Sequence, residues 1–243
     1  VRVPRFFCAP PLALGARVSL SPEAAHHAIR VLRMGEGDPL RLFDGSGREV
    51  QARILRIEKQ ALSALIESEL ANDRESPLRV VLAQGVSGGD RMDYTLQKAV
   101  ELGVAEIRPI QTERSVVKLS GERAMKRLAH WQSVVIAACE QCGRSVVPEV
   151  HAVSGLGEWL AGESADATRI VLAPDAETRL ADLPRPAVPV VLLAGPEGGL
   201  TEGEVATARL RGFRPVRLGP RILRTETAAL AALAAMQSLW GDF

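Results

Sequence analysis

The sequence predicts a two-part α/β chain, with a mainly β N-terminal part followed, from about residue 75, by a parallel sheet covered by helices on both faces. Three observations carry this expectation. The second part alternates strand-like and helix-like runs, as in "RVVLAQGV" followed by "RMDYTLQKAVELGV", and its strands are apolar at successive positions. Unbroken apolar strands separated by helices indicate a sheet buried on both sides, which the crossover helices of a parallel sheet provide. The first part shows a hairpin pattern instead, interrupted by one short helix. Between the two, "ESELANDRESP", residues 67 to 77, is polar, ends in a proline and suits a linker. The division expected is therefore 1–74 and 75–243.

Each element has a local reason. The short helix takes Ser21 as its N-cap and Pro22 as its first residue, and Gly35 is expected just past its end. "LRLFDGSGREVQARIL" reads as a hairpin turning through Asp44, Gly45, Ser46 and Gly47. Past the linker come the strand "EIRPI", the long helix "GERAMKRLAHWQSVVIAACEQ" and a loop. Then follow "RIVLAP", "VPVVLLAG", "TEGEVATARLRG", "RPVRLG" and a last helix from about Thr225 to Trp240. That helix, "ETAALAALAAMQSLW", is apolar nearly all round, so either it is sandwiched inside its domain or one face, at positions such as Leu233 and Met236, meets a second subunit.

Composition narrows the function. A hydrophobic content of 47% supports a real core, and a net charge of +1 means that any footprint for a polyanion must be local. Two stretches are locally basic. Residues 1 to 33 carry Arg2, Arg5, Arg17, Arg30 and Arg33 against Glu23 alone, and residues 108 to 127 carry six cations against Glu113 and Glu122. Either alone reads as a solvated face, and together they point toward a polyanion. Three cysteines make no disulfide framework and fit a reducing cytosol. No apolar run reaches membrane-spanning length, and the N-terminal "VRVPRFFCAPPLALG" lacks a signal-peptide core, so the expectation is a soluble cytoplasmic protein with no membrane partner. Cys139 and Cys142 spell C-x-x-C, but with no second pair or histidine set beside them zinc or thiol-redox chemistry has little support. His26 and His27, adjacent on a helix, point roughly 100° apart, a poor metal pair.

The chemistry concentrates in "LLAGPEGGLTEGE", residues 192 to 204, where an apolar strand runs through a glycine loop into a helix start. The spacing is neither G-x-G-x-x-G nor a P-loop. Glu197 between the glycines would repel a phosphate at short range and suits a cationic or hydroxyl-rich ligand. Thr201 and Glu204 form a capping box, so the helix N-terminus is satisfied by its own side chains. A second loop of the same kind is "LGPRILRTETAAL", residues 218 to 230, and a third candidate is "VLAPDAET". Taken alone, "GPEGG" reads as a tight strand-to-helix turn; with the other two, it could converge at the carboxyl edge of one sheet, where open α/β folds bind ligands.

The pair "GPEGGLTEGE" and "LGPRILRTETA", with "LQKAVELGVAEIRPIQTERSVVK" and "EQCGR" upstream, resembles the RsmE family of SPOUT methyltransferases, which methylate N3 of a uridine in 16S ribosomal RNA. The resemblance covers nearly the whole chain, including "HHAIRVLRMGEGDPLRLFDG". It implies an N-terminal PUA-like β-barrel, a SPOUT domain whose C-terminal sheet is tied in a trefoil knot, and a homodimer. The cofactor it implies is S-adenosylmethionine (AdoMet), with 16S rRNA or the 30S subunit as partner and no metal, because a sulfonium already activates its methyl group. The adenosyl part would lie against Leu172, against Ala194, Gly195, Pro196, Glu197, Gly198 and Gly199, and against Leu218, Gly219, Ile222, Leu223, Arg224 and Thr225, mostly through the main chain. Glu140, Arg144 and Arg224 are the expected catalytic groups, with ion pairing as their alternative role; Cys142 stands where such families often have serine. The RNA contacts expected are Arg2, Arg5, His27, Arg30, Arg33, Arg114 and Lys118. The rival readings are a non-catalytic RNA-binding protein that kept the fold, and a methyltransferase acting on another base or on a ribose hydroxyl.

Overall fold

The computed structural model describes residues 3–59, 61–162 and 166–243. The chain forms two compact units, Val1–Glu75 with Cys139–Val147, and Ser76–Ala138 with Pro148–Phe243. A single boundary at residue 74 therefore misses one segment, 139–147, which belongs with the first unit.

The first unit is built on five strands, β1 (Arg5–Phe7), β2 (Arg17–Ser19), β3 (Pro39–Phe43), β4 (Glu49–Glu58) and β5 (Ala61–Leu70), in the order β1-β3-β4-β5-β2. The β1–β3 pair is parallel and the other pairs are antiparallel. The β3–β4 hairpin turns where the Asp-Gly signal stands, and the Asp44 carboxylate accepts from both the N–H and the hydroxyl of Ser46. Residues 67–70, expected in the linker, are strand. Their carboxylates are held across the sheet, Glu67 by Arg53 at 2.8 Å and Glu69 by Arg48, and such cross-strand pairs carry a strand that lacks apolar alternation.

Helix α1 (Pro22–His26) starts as expected, with the Ser21 hydroxyl accepting from the N–H of Ala24. It continues as one π-helical turn, His27–Val31, and the left-handed residue that follows is Arg33 at φ 56°, not Gly35. The N–H of Gly35 is bound instead by the Asp38 carboxylate at 2.7 Å.

Arg5, expected on RNA, is corrected: its side chain is only 4% exposed and is the centre of the first unit's polar core. It donates to both oxygens of Glu49 at 3.0 and 3.2 Å, to the carbonyls of Cys139 and Arg144 at 2.7 and 3.1 Å, and to the Ser145 hydroxyl at 3.1 Å. A guanidinium with its donors committed in this way, lying over the Phe43 ring at 4.6 Å, is not offered to a phosphate. Asn72 ties the same Glu49 to the carbonyl of Gly143, which is how residues 139–147 join this unit. Burial pushes the Glu49 carboxyl up, but the bonds and charge of Arg5, helped by Ser145 and Asn72, outweigh it and hold it below the usual carboxylate range. Arg2 lies outside the described residues.

The second unit holds β6 (Val80–Gly85), β7 (Glu106–Gln111), β8 (Glu149–Val150), β9 (Ser154–Gly155), β10 (Thr168–Leu172), β11 (Val190–Ala194) and β12 (Arg214–Val216). All pairs are parallel and the order is β12-β10-β11-β6-β7-β8, with β9 beside β7. Every residue of β6 and β11 is buried, as unbroken apolar strands require. On one face lie α4 (Leu156–Gly162) and α5 (Glu202–Leu210), with Trp159, Leu160 and Ala208 against Val81, Val171 and Leu193. On β6 and β11 also pack α6 (Thr225–Trp240) and, against it, α2 (Gly89–Glu101). The remaining helix is α3 (Gly121–Cys142). Helix α4 was hidden in the expected loop, because seven residues with two glycines give little periodicity; Leu156, Trp159 and Leu160 are its only apolar stripe.

Leu233 and Met236 of α6 are fully buried within the unit, which corrects their reading as subunit-facing positions. The strand order reverses between β6 and β11, since β7 and β8 lie on one side of β6 and the later strands on the other. Crevices at such reversals are where open α/β sheets bind ligands.

Arg5→Ala leaves the buried Glu49 carboxylate with only the half-exposed Arg41 at 3.7 Å as its cation, and the expected loss is up to about 3–5 kcal/mol of the first unit's stability in denaturant unfolding. Because Glu49 ionises below its unfolded value, its contribution is present above that value and is lost as pH falls through the folded one. Glu49→Gln should accordingly flatten the acid limb of the stability profile.

Candidate functional site

The loops that leave β10, β11 and β12 at their carboxyl ends line one cavity of ≈ 670 Å³. These strands are neighbours in the sheet, so the loops meet without any long excursion. What lets the β11 loop fold back over the sheet is Gly85 at the end of β6. A Cβ there would lie 2.4 Å from the nitrogen and 2.6 Å from Cδ of Pro196, so no side chain fits.

The far side of the loop is fastened by the segment after β7. Arg114 donates to the carbonyl of Gly198 at 3.1 Å, and a Cβ on Gly198 would meet Cβ of Arg114 at 3.0 Å. The capping box is present: the Thr201 hydroxyl accepts from the N–H of Glu204, and the Glu204 carboxylate accepts from the N–H of Thr201 at 2.9 Å. Its other oxygen accepts from the N–H of Glu113 at 2.8 Å, so one carboxylate caps α5 and holds the 112–115 segment against it. The two loops after β11 and β12 share a bond as well, the Thr225 hydroxyl donating to the carbonyl of Gly195 at 2.6 Å.

Glu197 does something other than expected. Its Oε1 accepts from the N–H of Gly88 at 2.8 Å and from Arg91 at 3.3 Å, which caps the start of α2 and pairs the charge. The carboxylate is therefore drawn to a helix N-terminus, where the helix dipole favours it, rather than standing free for a cationic ligand. The other acids on the cavity lining are Asp175 and Glu202.

The structure gathers Leu172, Ala194 to Gly199, Leu218, Gly219, Ile222, Leu223 and Thr225 around the cavity. Arg224 is not among the lining residues; it is exposed, stands at the N-cap of α6 and makes no side-chain capping bond. Arg114 does line the cavity. So do three arginines that sequence reasoning passed over, Arg209 in the last turn of α5, Arg217 just after β12, and Arg221 in the loop that follows. Arg217 and Arg221 flank or fall within the second quoted loop, and that was the available signal. None of these three forms a salt bridge among the described residues.

Glu140 and Arg144, the other expected catalytic residues, belong to the first unit and do not occur on the cavity lining. Arg144 is buried and paired with Glu75 at 2.8 Å, while Glu75 also accepts from the N–H groups of Ser145 and Val146. Glu140 accepts from the N–H of Phe7 at 2.9 Å, and burial pushes its carboxyl up against the opposing pull of that bond and of His27 and Arg5. Both are thus engaged in holding residues 139–147 together with the strands of their own unit. Burial also pushes the Cys139 thiol up to about 12, so its thiolate is scarce at neutral pH. Lys118 is exposed, and its ammonium donates to the carbonyls of Thr112 and Glu113. His27, Arg30 and Arg33 are exposed on the first unit, with His27 edge-on to Phe6. Among the described residues no cluster of three or more His, Cys, Asp or Glu side chains is able to hold a metal, and no helix is long and apolar enough to cross a membrane.

Comparison with known proteins gives a consistent result. The model of a family described as an RNA methyltransferase domain matches residues 74–237, and that of an RNA methyltransferase PUA domain matches residues 20–67. The chain is 35% identical to ribosomal RNA small subunit methyltransferase E of Buchnera aphidicola, over 99% of this chain and 98% of that one. It is 34% identical to the protein of the same name from Bacillus subtilis, over 90% and 88%. Among solved structures, the Neisseria gonorrhoeae ribosomal RNA small subunit methyltransferase E bound to S-adenosyl methionine is similar over the full length of both chains, with a TM-score of 0.94 and 46% identity.

Gly85→Ala forces the Gly195–Pro196 backbone away from the sheet, an overpacking that typically costs about 1–3 kcal/mol. Thermal unfolding should register that loss, and a variant melting with the native chain would contradict the role given to this contact.

Proposed function

Because the chain belongs to the ribosomal RNA small subunit methyltransferase E family, we propose that it transfers the methyl group of AdoMet to N3 of a uridine in 16S ribosomal RNA, in the cytoplasm. The observation that carries this reading is the cavity formed by the three loops after β10, β11 and β12. Its volume of ≈ 670 Å³ falls in the range of about 300–1,000 Å³ usual for small-molecule sites. The lining supports the fit: Leu172, Val216, Leu218 and Leu223 offer apolar surface to a base, and the glycine loop offers main-chain groups to a ribose. Asp175 and Glu202 supply the negative charge that suits a sulfonium and an ammonium.

When bound, AdoMet would supply a methyl group already activated for attack by the uracil nitrogen: the S–CH3 bond breaks as N3–CH3 forms, S-adenosylhomocysteine leaves as the thioether, and the N3 proton passes to water. The chain's own residues bind and orient. The backbone from Ala194 to Gly199 and from Leu218 to Leu223 would hold the cofactor in a fixed cradle, and such positioning lowers the entropic part of a transfer barrier. Arg114, anchored on Gly198, is the side chain we assign to orienting the target nucleotide beside the cavity. Arg209, Arg217 and Arg221 supply positive charge for phosphates of the RNA, and the exposed His27, Arg30 and Arg33 of the first unit supply more.

Three finer features complete the proposal. A PUA-like barrel agrees with the five-stranded unit and with the match of residues 20–67 to an RNA methyltransferase PUA domain, and a trefoil knot in the C-terminal sheet is inferred from the family alone. A homodimer is supported by the side of α6 away from the core, where Ala231 and Ala235 are half-buried and Leu239 is exposed, and by Ile222 in the cavity loop, 86% exposed.

Incubation with labelled AdoMet and small subunits lacking the modification, followed by mass mapping of the nucleoside, tests the reading. It predicts N3-methyluridine in 16S rRNA, made by a protein that sediments as a dimer. No transfer, or a methyl group on another base or on a ribose hydroxyl, would overturn it.

A further inference from the structure

We propose that Gln84 is a positioning residue of this site, latching together the two loops that hold the cofactor. The proposal rests on the AdoMet reading above. Gln84 is the one polar side chain in β6, "VVLAQG", and it is fully buried. Its Nε2 donates to the Thr225 hydroxyl at 2.9 Å and to the carbonyl of Gly85 at 3.1 Å, with the carbonyl of Gly195 at 3.4 Å. The Thr225 hydroxyl passes its own proton to that same Gly195 carbonyl at 2.6 Å. One amide thus joins the end of β6, the exit of β11 and the first residue of α6.

An amide in a strand buried on both faces is an expensive way to obtain stability, since a leucine of similar size would need no partners. The Oε1 of Gln84 meets no donor among the described residues, which makes the amide costlier still. What the amide supplies and a leucine lacks is direction. Gly195 follows β11 and Thr225 ends the loop after β12, and both line the cavity. With the Gly195 carbonyl turned inward onto Thr225 and Gln84, the peptide that follows presents a fixed face to the cavity. The distance between the two loops is then set by hydrogen-bond lengths and not by the ligand. Loss of the latch frees both loops, so a ligand must order them at its own entropic cost.

A purely structural role predicts something different, a lower melting temperature with unchanged affinity at temperatures where the protein is folded. The test is therefore calorimetric titration with AdoMet, well below the melting temperature of every variant, on the native chain, Gln84→Leu, Thr225→Val, Thr225→Ser and the double variant Gln84→Leu/Thr225→Val. Gln84→Leu and Thr225→Val are each expected to weaken AdoMet binding by about tenfold. The double variant should lose much less than the product of the two, because they break one unit. Thr225→Ser, which keeps the hydroxyl, should bind more tightly than Thr225→Val, which keeps the shape. Amide hydrogen exchange adds a reading that needs no ligand, with Gly198, Gly199 and residues 222–225 exchanging faster in Gln84→Leu than in the native chain. Native affinity in a folded Gln84→Leu overturns the latch, and so do equal affinities of the Ser and Val variants. If Gln84→Leu does not fold, the two Thr225 variants decide. If the native chain itself does not bind AdoMet, the proposed function fails, and the latch is judged on hydrogen exchange alone, where unchanged rates overturn it.

Discussion

The cavity depends on the backbone of Gly195 and Pro196 lying directly on the α-carbon of Gly85. Ala194 and Gln84 are paired in register on neighbouring strands, so the β11 loop leaves the sheet right beside the end of β6. Any side chain at position 85 would push that loop outward. With the loop folded over, three further attachments come within reach: Gly198 against Arg114, Glu197 against Gly88, and the α5 cap against Glu113. Each is made by the protein alone. A loop fastened at several points before a ligand arrives loses little freedom on binding, which is what makes a largely main-chain site effective.

Charge is used in two opposite ways along this chain, although its total is close to neutral. In the first unit Arg5 is enclosed and its five donors organise a carboxylate, two carbonyls and a hydroxyl. Around the cavity, Arg114, Arg209 and Arg221 are on the lining with no salt bridge among the described residues, and Arg217 acts on the Asp182 carboxylate only through its charge. Exposed ion pairs contribute little to stability, so leaving these cations without a salt bridge sacrifices little and keeps them available to an anionic substrate. The buried cation has no such freedom, because removing either member of its pair strands the other away from water.

These contrasts explain what was legible in the sequence. Strands β6, β10 and β11 were readable because burial on both faces leaves only apolar residues, and the α5 start because Thr201 and Glu204 form a box that is local in sequence. The convergence of the loops followed from where their strands end. Arg5 was misread because a count of basic residues in a stretch carries no information about Glu49, 44 residues away in sequence yet in contact in the fold. The contacts of Glu197 were hidden for the same reason, its partners Gly88 and Arg91 lying at another helix. Residues 67–70 look like a linker by composition, and only the cross-strand arginines reveal them as strand. Gln84 stands in the sequence as an isolated polar residue in an apolar run, a visible irregularity whose meaning needed the position of Thr225.

The central claim is that the cavity lined by the loops after β10, β11 and β12 is the proposed cofactor cradle. Crystals of the chain soaked with AdoMet test it most directly. The account predicts difference density inside the cavity, in contact with the main chain of Leu172, Gly195 to Gly199 and Leu218 to Leu223. Density elsewhere, or a cofactor held by the side chains of Glu140 and Arg144, would contradict it.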